Sequence, residues 1–222
     1  MAGPADMQVT PGESPVEVVG LPRGDSIVVP YGFTVEREQR AALKGQAPKV
    51  LWLTGLPGSG KSTLANRVER LLHDKGVHTY VLDGDNVRAG LCSDLGFTPE
   101  DRNENVRRVA EVAHLMYDAG LVVVVALVSP FRSDRRAARA LFPAGDFLEV
   151  WVDTPLGVCA ERDPKGLYAK AASGRLSNMT GRGQSYEEPE SPDLVVHGVG
   201  DLDATAATIV DAALGGRPEA HA

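Results

Sequence analysis

The chain has 222 residues, is 43% hydrophobic and carries a formal net charge of −7. This length supports one substantial core, and the acidic balance excludes a surface built on clustered Lys and Arg for nucleic acid or an anionic membrane. The only cysteines, Cys92 and Cys159, stand in no C-x-x-C or C/H spacing, which excludes a metal or disulfide framework and fits a reduced, cytoplasmic setting.

Residues 1–33 read as an N-terminal extension, rich in Pro, Gly and acidic side chains, with short β-like stretches at Val16–Val19 and Ser26–Val29. Breaks at Gly3, Pro4, Asp6 and Pro11 deny the first residues the apolar core of a signal peptide. A short helix is expected over Val35–Leu43, and strand and helix periods then alternate as in βαβ units. Strands are predicted at Val50–Thr54, His78–Leu82, Leu121–Val128, Phe147–Val152 and Leu194–Val196. The run Leu121–Val128 is too short to span a membrane and suits a strand buried on both faces.

The clearest helix covers Pro99–Ala119. Thr98 can cap it, Pro99 suits its first position, Asp101 favours its positive end, and Gly120 stops it. Val106, Val109, Ala110, Ala113, Met116 and Tyr117 make one apolar stripe that must pack on a sheet. Short connections with right-handed crossovers give a three-layer α/β sandwich with a doubly wound, mainly parallel sheet of the P-loop NTPase type. Its ligands should lie at the carboxyl ends of the strands. This domain is expected over residues 34–216, with a basic flap or lid at about 162–190 and a tail at 217–222. The flap shows no strand period and carries Lys165, Lys170, Arg175 and Arg182 among glycines; an ordinary surface loop is the alternative.

Gly55-Leu56-Pro57-Gly58-Ser59-Gly60-Lys61-Ser62-Thr63 fits G-x-x-x-x-G-K-[ST], with an apolar strand before it and an amphipathic helix after it. Such a loop turns consecutive N–H groups and a helix start toward a polyphosphate, which makes ATP the expected ligand. Lys61 can reach the outer phosphates, and the Ser62 hydroxyl suits Mg²⁺. After the second strand, Asp83 can accept a proton from an acceptor hydroxyl or hold a metal-bound water, while Asp85 can cap the next helix. A turn role for both is the plainer alternative. Arg88, Arg102 and Asn105 offer donors to an anionic acceptor, the last two sharing a helix face. Ser129 follows the buried strand onto the same rim, and Arg135, Arg136 and Arg139 read as a solvated helix face.

Together with Asp94-Leu95-Gly96-Phe97, Asp101-Arg102-Asn103-Glu104-Asn105, Ser129-Pro130-Phe131-Arg132 and Arg162-Asp163-Pro164-Lys165-Gly166-Leu167-Tyr168, the phosphate loop and the Leu82–Arg88 stretch resemble the adenylylsulfate kinases in type and order. The resemblance implies transfer of the γ-phosphoryl group of MgATP to the 3′-hydroxyl of adenosine 5′-phosphosulfate. It implies Asp83 beside the acceptor hydroxyl and metal, acceptor binding by Asp85, Arg88, Arg102, Asn105 and Ser129, stacking of adenine on Phe97, and a lid with Lys165 and Leu167. Ser129 matches a serine described in some members as transiently phosphorylated; a binding role is expected here, since phosphoryl transfer between bound nucleotides needs alignment and charge stabilisation alone. Met179 stands where the family has a second aromatic wall, and Cys92 where it often has Asn. A homodimer is a further expectation. Two other readings remain open: a kinase of another small alcohol or nucleoside, and a nucleotide-sensing domain without turnover.

Overall fold

A computed structural model describes residues 31–175, 179–181 and 183–215. The chain divides into two units, 1–36 and 37–222, and every element below belongs to the second. In the first, Tyr31 and Phe33 meet edge to face. The β-like stretches expected before residue 30 lie outside the described residues.

In chain order the elements are α1 (Arg37–Lys44), β1 (Lys49–Thr54), α2 (Lys61–Asp74), β2 (Thr79–Asp83), α3 (Gly84–Ala89), α4 (Pro99–Asp118), β3 (Val122–Ala126), α5 (Arg132–Arg139), β4 (Phe147–Val152), α6 (Leu156–Arg162), α7 (Leu167–Ala172), β5 (Met179–Thr180), β6 (Gly183–Gln184), β7 (Leu194–Val196) and α8 (Leu202–Ala213). Five strands form one sheet in the order β2-β3-β1-β4-β7, parallel throughout.

Alternation along β1 separates two cores. Leu51 and Leu53 face Leu64, Val68 and Leu72 of α2 and Ile209 and Val210 of α8. Val50 and Trp52 face Val106, Val109, Ala113 and Tyr117 of α4, with Phe142 and Phe147. Helices thus cover both faces, which makes three layers and leaves β1 and β3 almost wholly buried, as continuous Val-rich runs require. Strand β3 is shorter than the apolar run around it, because Leu127 leaves the ladder with its N–H still bonded to the Leu53 carbonyl.

Helix α4 starts as its sequence demands. Thr98 accepts from the Asp101 N–H while the Asp101 side chain accepts from the Thr98 N–H, a reciprocal capping box with Pro99 beside it. Two expectations are corrected. The 162–190 segment is no bare loop: Leu167 and Tyr168 of α7 pack with Leu56 and Cys159 in a small third cluster, and β5 and β6 pair. Arg135 is not on a solvated face but 2% exposed, turned inward by the Glu149 carboxylate of β4. Among the described residues, no helix is long and apolar enough to cross a membrane.

Candidate active site

Parallel strands deliver the ends of β1, β2 and β3 to one rim, where a cavity of about 670 Å³ opens. The phosphate loop forms one wall. Gly55 sits at φ 151°, and a Cβ there would lie 2.6 Å from the Val152 carbonyl oxygen, so the loop passes β4 at a distance that only glycine permits. Gly60 takes a left-handed conformation as the residue before α2. Lys61 folds along the inside of the loop and donates to the carbonyls of Gly55 at 2.9 Å and Leu56 at 2.7 Å and to Ser59 Oγ at 3.3 Å. Burial pushes its ammonium down to about 7, with Lys165 acting in the same direction and Asp83 against it.

The loop joins the second rim stretch directly. Ser62 Oγ donates to Asp83 Oδ2 at 2.5 Å. Asp83 Oδ1 accepts from the Asp85 N–H at 3.0 Å, so the first acidic residue, and not the second, caps α3. That frees the Asp85 carboxylate to pair with Lys165 of the lid. Ser62, Asp83, Asp85 and Lys165 therefore form one polar chain from the phosphate loop to the stretch before α7.

The opposite wall comes from α4 and the stretch before it. Phe97 is about half exposed, with the guanidinium of Arg88 4.6 Å and that of Arg102 5.5 Å from its ring centre. Burial pushes both arginines below their ordinary value. Asn105 is 4% exposed and its Oδ1 has no hydrogen-bond partner among the described residues, nor has the Thr180 hydroxyl; both residues line the cavity. Buried polar atoms are seldom left so in folded proteins.

Ser129 also lines the cavity but is 2% exposed, and its hydroxyl is engaged on both sides. Trp52 Nε1 donates to it at 3.1 Å, and it donates to Thr54 Oγ1 at 2.9 Å. Its φ of 37° is a conformation that residues with a Cβ rarely hold.

Of the residues singled out from sequence, Pro57, Gly58, Gly60, Lys61, Ser62, Thr63, Asp83, Asp85, Arg88, Phe97, Arg102, Asn105, Ser129, Lys165 and Leu167 line this one cavity. Gly55, Leu56 and Ser59 stand behind it as the frame of the loop. Met179 lies in β5 with its side chain outside the described residues, and Cys92 is buried. Sequence reasoning missed Arg162, Tyr168 and Leu202 as lining residues, although the first two stand in a motif it quoted. Tyr168 donates to the Pro57 carbonyl at 2.9 Å, which ties α7 to the phosphate loop. It also missed Gly198, where a Cβ would lie 1.7 Å from the Ser59 carbonyl oxygen: the connection from β7 to α8 rests directly on the loop. Two glycines two residues apart, Gly198 and Gly200, read from sequence as an ordinary turn and carry no signal of such contact.

Residues 47–197 match the family model described as Adenylylsulphate kinase. The bifunctional enzyme NodQ of Rhizobium meliloti is 56% identical over 191 residues, which are 84% of this chain and 30% of that enzyme. An adenylyl-sulfate kinase of Shewanella putrefaciens is 56% identical over 185 residues, 83% of this chain and 90% of the relative. Among solved structures, the Mycobacterium tuberculosis APS kinase CysC in complex with AMPPNP and APS superposes with a TM-score of 0.72 at 48% identity, covering 75% of this chain and 97% of that one. The chain thus spans under a third of the NodQ enzyme but nearly all of the shorter kinases. With a family match across most of its length and an all-parallel sheet presenting the phosphate loop, the chain belongs to the adenylylsulfate kinase family.

Proposed function

We propose that the protein transfers the γ-phosphoryl group of MgATP to the 3′-hydroxyl of adenosine 5′-phosphosulfate, giving 3′-phosphoadenosine 5′-phosphosulfate and ADP. The observation that supports this reading is the Ser62–Asp83 contact, which joins the phosphate loop to the stretch after β2 within one cavity. Loop N–H groups and the start of α2 cradle the polyphosphate, and Lys61 leaves the loop carbonyls to meet charge on the β- and γ-phosphates. Asp83 orients the acceptor hydroxyl and takes its proton. Arg88 and Arg102 face the acceptor's anionic groups, Phe97 its base, and Asn105 and Thr180 offer their unpartnered oxygens to its N–H or O–H groups.

The donor set fits Mg²⁺. Ser62 and Asp83 supply hard oxygens at the cavity, and no cluster of three or more metal-ligating side chains occurs among the described residues, as expected for an ion held largely by phosphates and water. Ser62 and Asp83 would hold it, and it would neutralise charge on the transferred group. Lys165 and Leu167 close the lid, and Met179 on β5 stands for the family's second aromatic wall. A reduced, cytoplasmic setting fits two cysteines that are both free and buried.

The test is to incubate the purified protein with MgATP and adenosine 5′-phosphosulfate, then follow ADP release and the 3′-phosphorylated product. Stoichiometric product is expected. Turnover with only another alcohol would reassign the acceptor, and nucleotide binding without turnover would make the chain a sensor.

A further inference from the structure

Arg135 lies in α5, six residues past Ser129, with its side chain buried. Its Nε donates to Glu149 Oε1, its Nη1 to the Ser129 carbonyl and its Nη2 to the Glu187 carbonyl, each at 2.7 Å. The guanidinium also stands 5.7 Å from the ring centre of Tyr186. Three stretches far apart in sequence therefore meet on one planar cation: strand β4, the rim turn after β3, and the segment that follows the lid.

A buried ion pair alone is weak evidence of stabilisation, since apolar residues of similar volume often serve as well. What the cation supplies here is geometry. The left-handed backbone of Ser129 persists only where its surroundings over-determine it. Arg135 fixes the carbonyl of that residue, and Trp52 and Thr54 fix its hydroxyl. Thr54 Oγ1 also meets the Tyr186 hydroxyl at 3.0 Å, which closes a ring back to the residue beside the guanidinium. A second clasp runs parallel: the Glu187 N–H donates to the Pro130 carbonyl at 2.9 Å, and the Glu187 carboxylate accepts from the Arg132 N–H at 2.7 Å. Ser129 and Pro130 both line the cavity.

We propose that Arg135 is a positioning residue of the acceptor side: it holds the Ser129–Pro130 turn in its strained form and ties to it the segment returning from the lid. It touches neither substrate. The inference rests on the proposed reading only for which substrate fills that side; the network reaches the residue before the phosphate loop at Thr54, but the loop itself is held from within by Lys61 and from β4 by Thr154, so the ATP side should feel the change far less.

Steady-state kinetics of Arg135→Lys, with each substrate varied in turn, test it. Lysine keeps the charge but cannot hold both carbonyls and the carboxylate in one plane. The KM for adenosine 5′-phosphosulfate should rise by about tenfold or more while that for ATP stays within about twofold. The paired change Arg135→Met with Glu149→Leu separates position from stability, because it removes the buried charges together and restores the melting temperature lost in Arg135→Met alone. Its acceptor KM should stay raised, whereas return of both melting temperature and KM would make the role merely structural and overturn the proposal. Tyr186→Leu, a change at a partly exposed site, should move the acceptor KM the same way by about threefold. An unchanged acceptor KM in that variant would overturn the proposal even where the Arg135 variants do not fold. Should the unaltered protein use another acceptor, the proposed function fails on its own, and the same ratios measured with that acceptor still decide the role of Arg135.

Discussion

Lys61 shows at the scale of one residue how position sets chemistry. Burial holds its ammonium near 7 while it faces loop carbonyls, and a polyphosphate beside it favours the charged form. Above about pH 7 part of the free protein therefore holds Lys61 neutral while a bound polyphosphate holds it charged, so binding is expected to take up a fraction of a proton. Titration calorimetry with MgATP in two buffers of different ionisation enthalpy measures this, and zero uptake would refute the shift. Asp83 and Asp85 should separate sharply. Asp83→Asn removes the carboxylate beside Ser62 and is expected to cut kcat by roughly a hundredfold or more with little change in ATP affinity, while Asp85→Asn, which loses its pairing to Lys165, costs much less. Equal effects would return the pair to a turn. The phosphate loop was readable in the sequence because its work is done by backbone shape, and shape at that spacing demands glycines. Arg135 was not, since its burial depends on Glu149 and on residues 186–187, which no local pattern joins to it.

Among elements, legibility followed length and capping. Helix α4 announced itself through Thr98, Asp101 and a stripe of about three turns from Val106 to Tyr117, and β3 through a Val run that no exposed segment would carry. Helix α7 spans six residues and β5 and β6 two each, too few for a period to emerge, and α7 packs through Leu167 and Tyr168 against Leu56 of the phosphate loop. The connection between β7 and α8 was equally silent, yet it offers a sharp test. Gly198→Ala drives a methyl into the Ser59 carbonyl and the Thr154 hydroxyl, 1.7 and 2.6 Å from the ideal Cβ, so either the loop or the connection must shift. ATP affinity should fall by about tenfold or more and stability by about 2 kcal/mol. Gly157→Ala, in α6 with nothing within 4 Å of its Cβ, is the control and should be neutral or slightly stabilising. Equilibrium nucleotide binding and urea unfolding compare the two, and like behaviour would mean the close approach does not matter.

At the scale of the molecule, one all-parallel sheet gathers residues from position 55 to beyond 198 onto a single rim, and the stretch with Lys165 and Tyr168, the proposed lid, is tied to that rim at Asp85 and Pro57. Losing the first tie should let water reach the donor. In Lys165→Ala, ADP released per molecule of phosphorylated acceptor is expected to rise above one, as measured by coupled ADP assay against product chromatography; an unchanged ratio would leave Lys165 with no part in excluding water. The engaged hydroxyl of Ser129 bears on a different property of the reaction. With its proton given to the Thr54 hydroxyl, which is no base, and one lone pair receiving the indole N–H of Trp52, that side chain is poorly set to carry a phosphoryl group in the proposed reaction. The proposed transfer is then expected to take a single displacement at phosphorus. A donor made chiral at its terminal phosphorus by sulfur and heavy oxygen should yield product of inverted configuration, where a two-step relay would retain it.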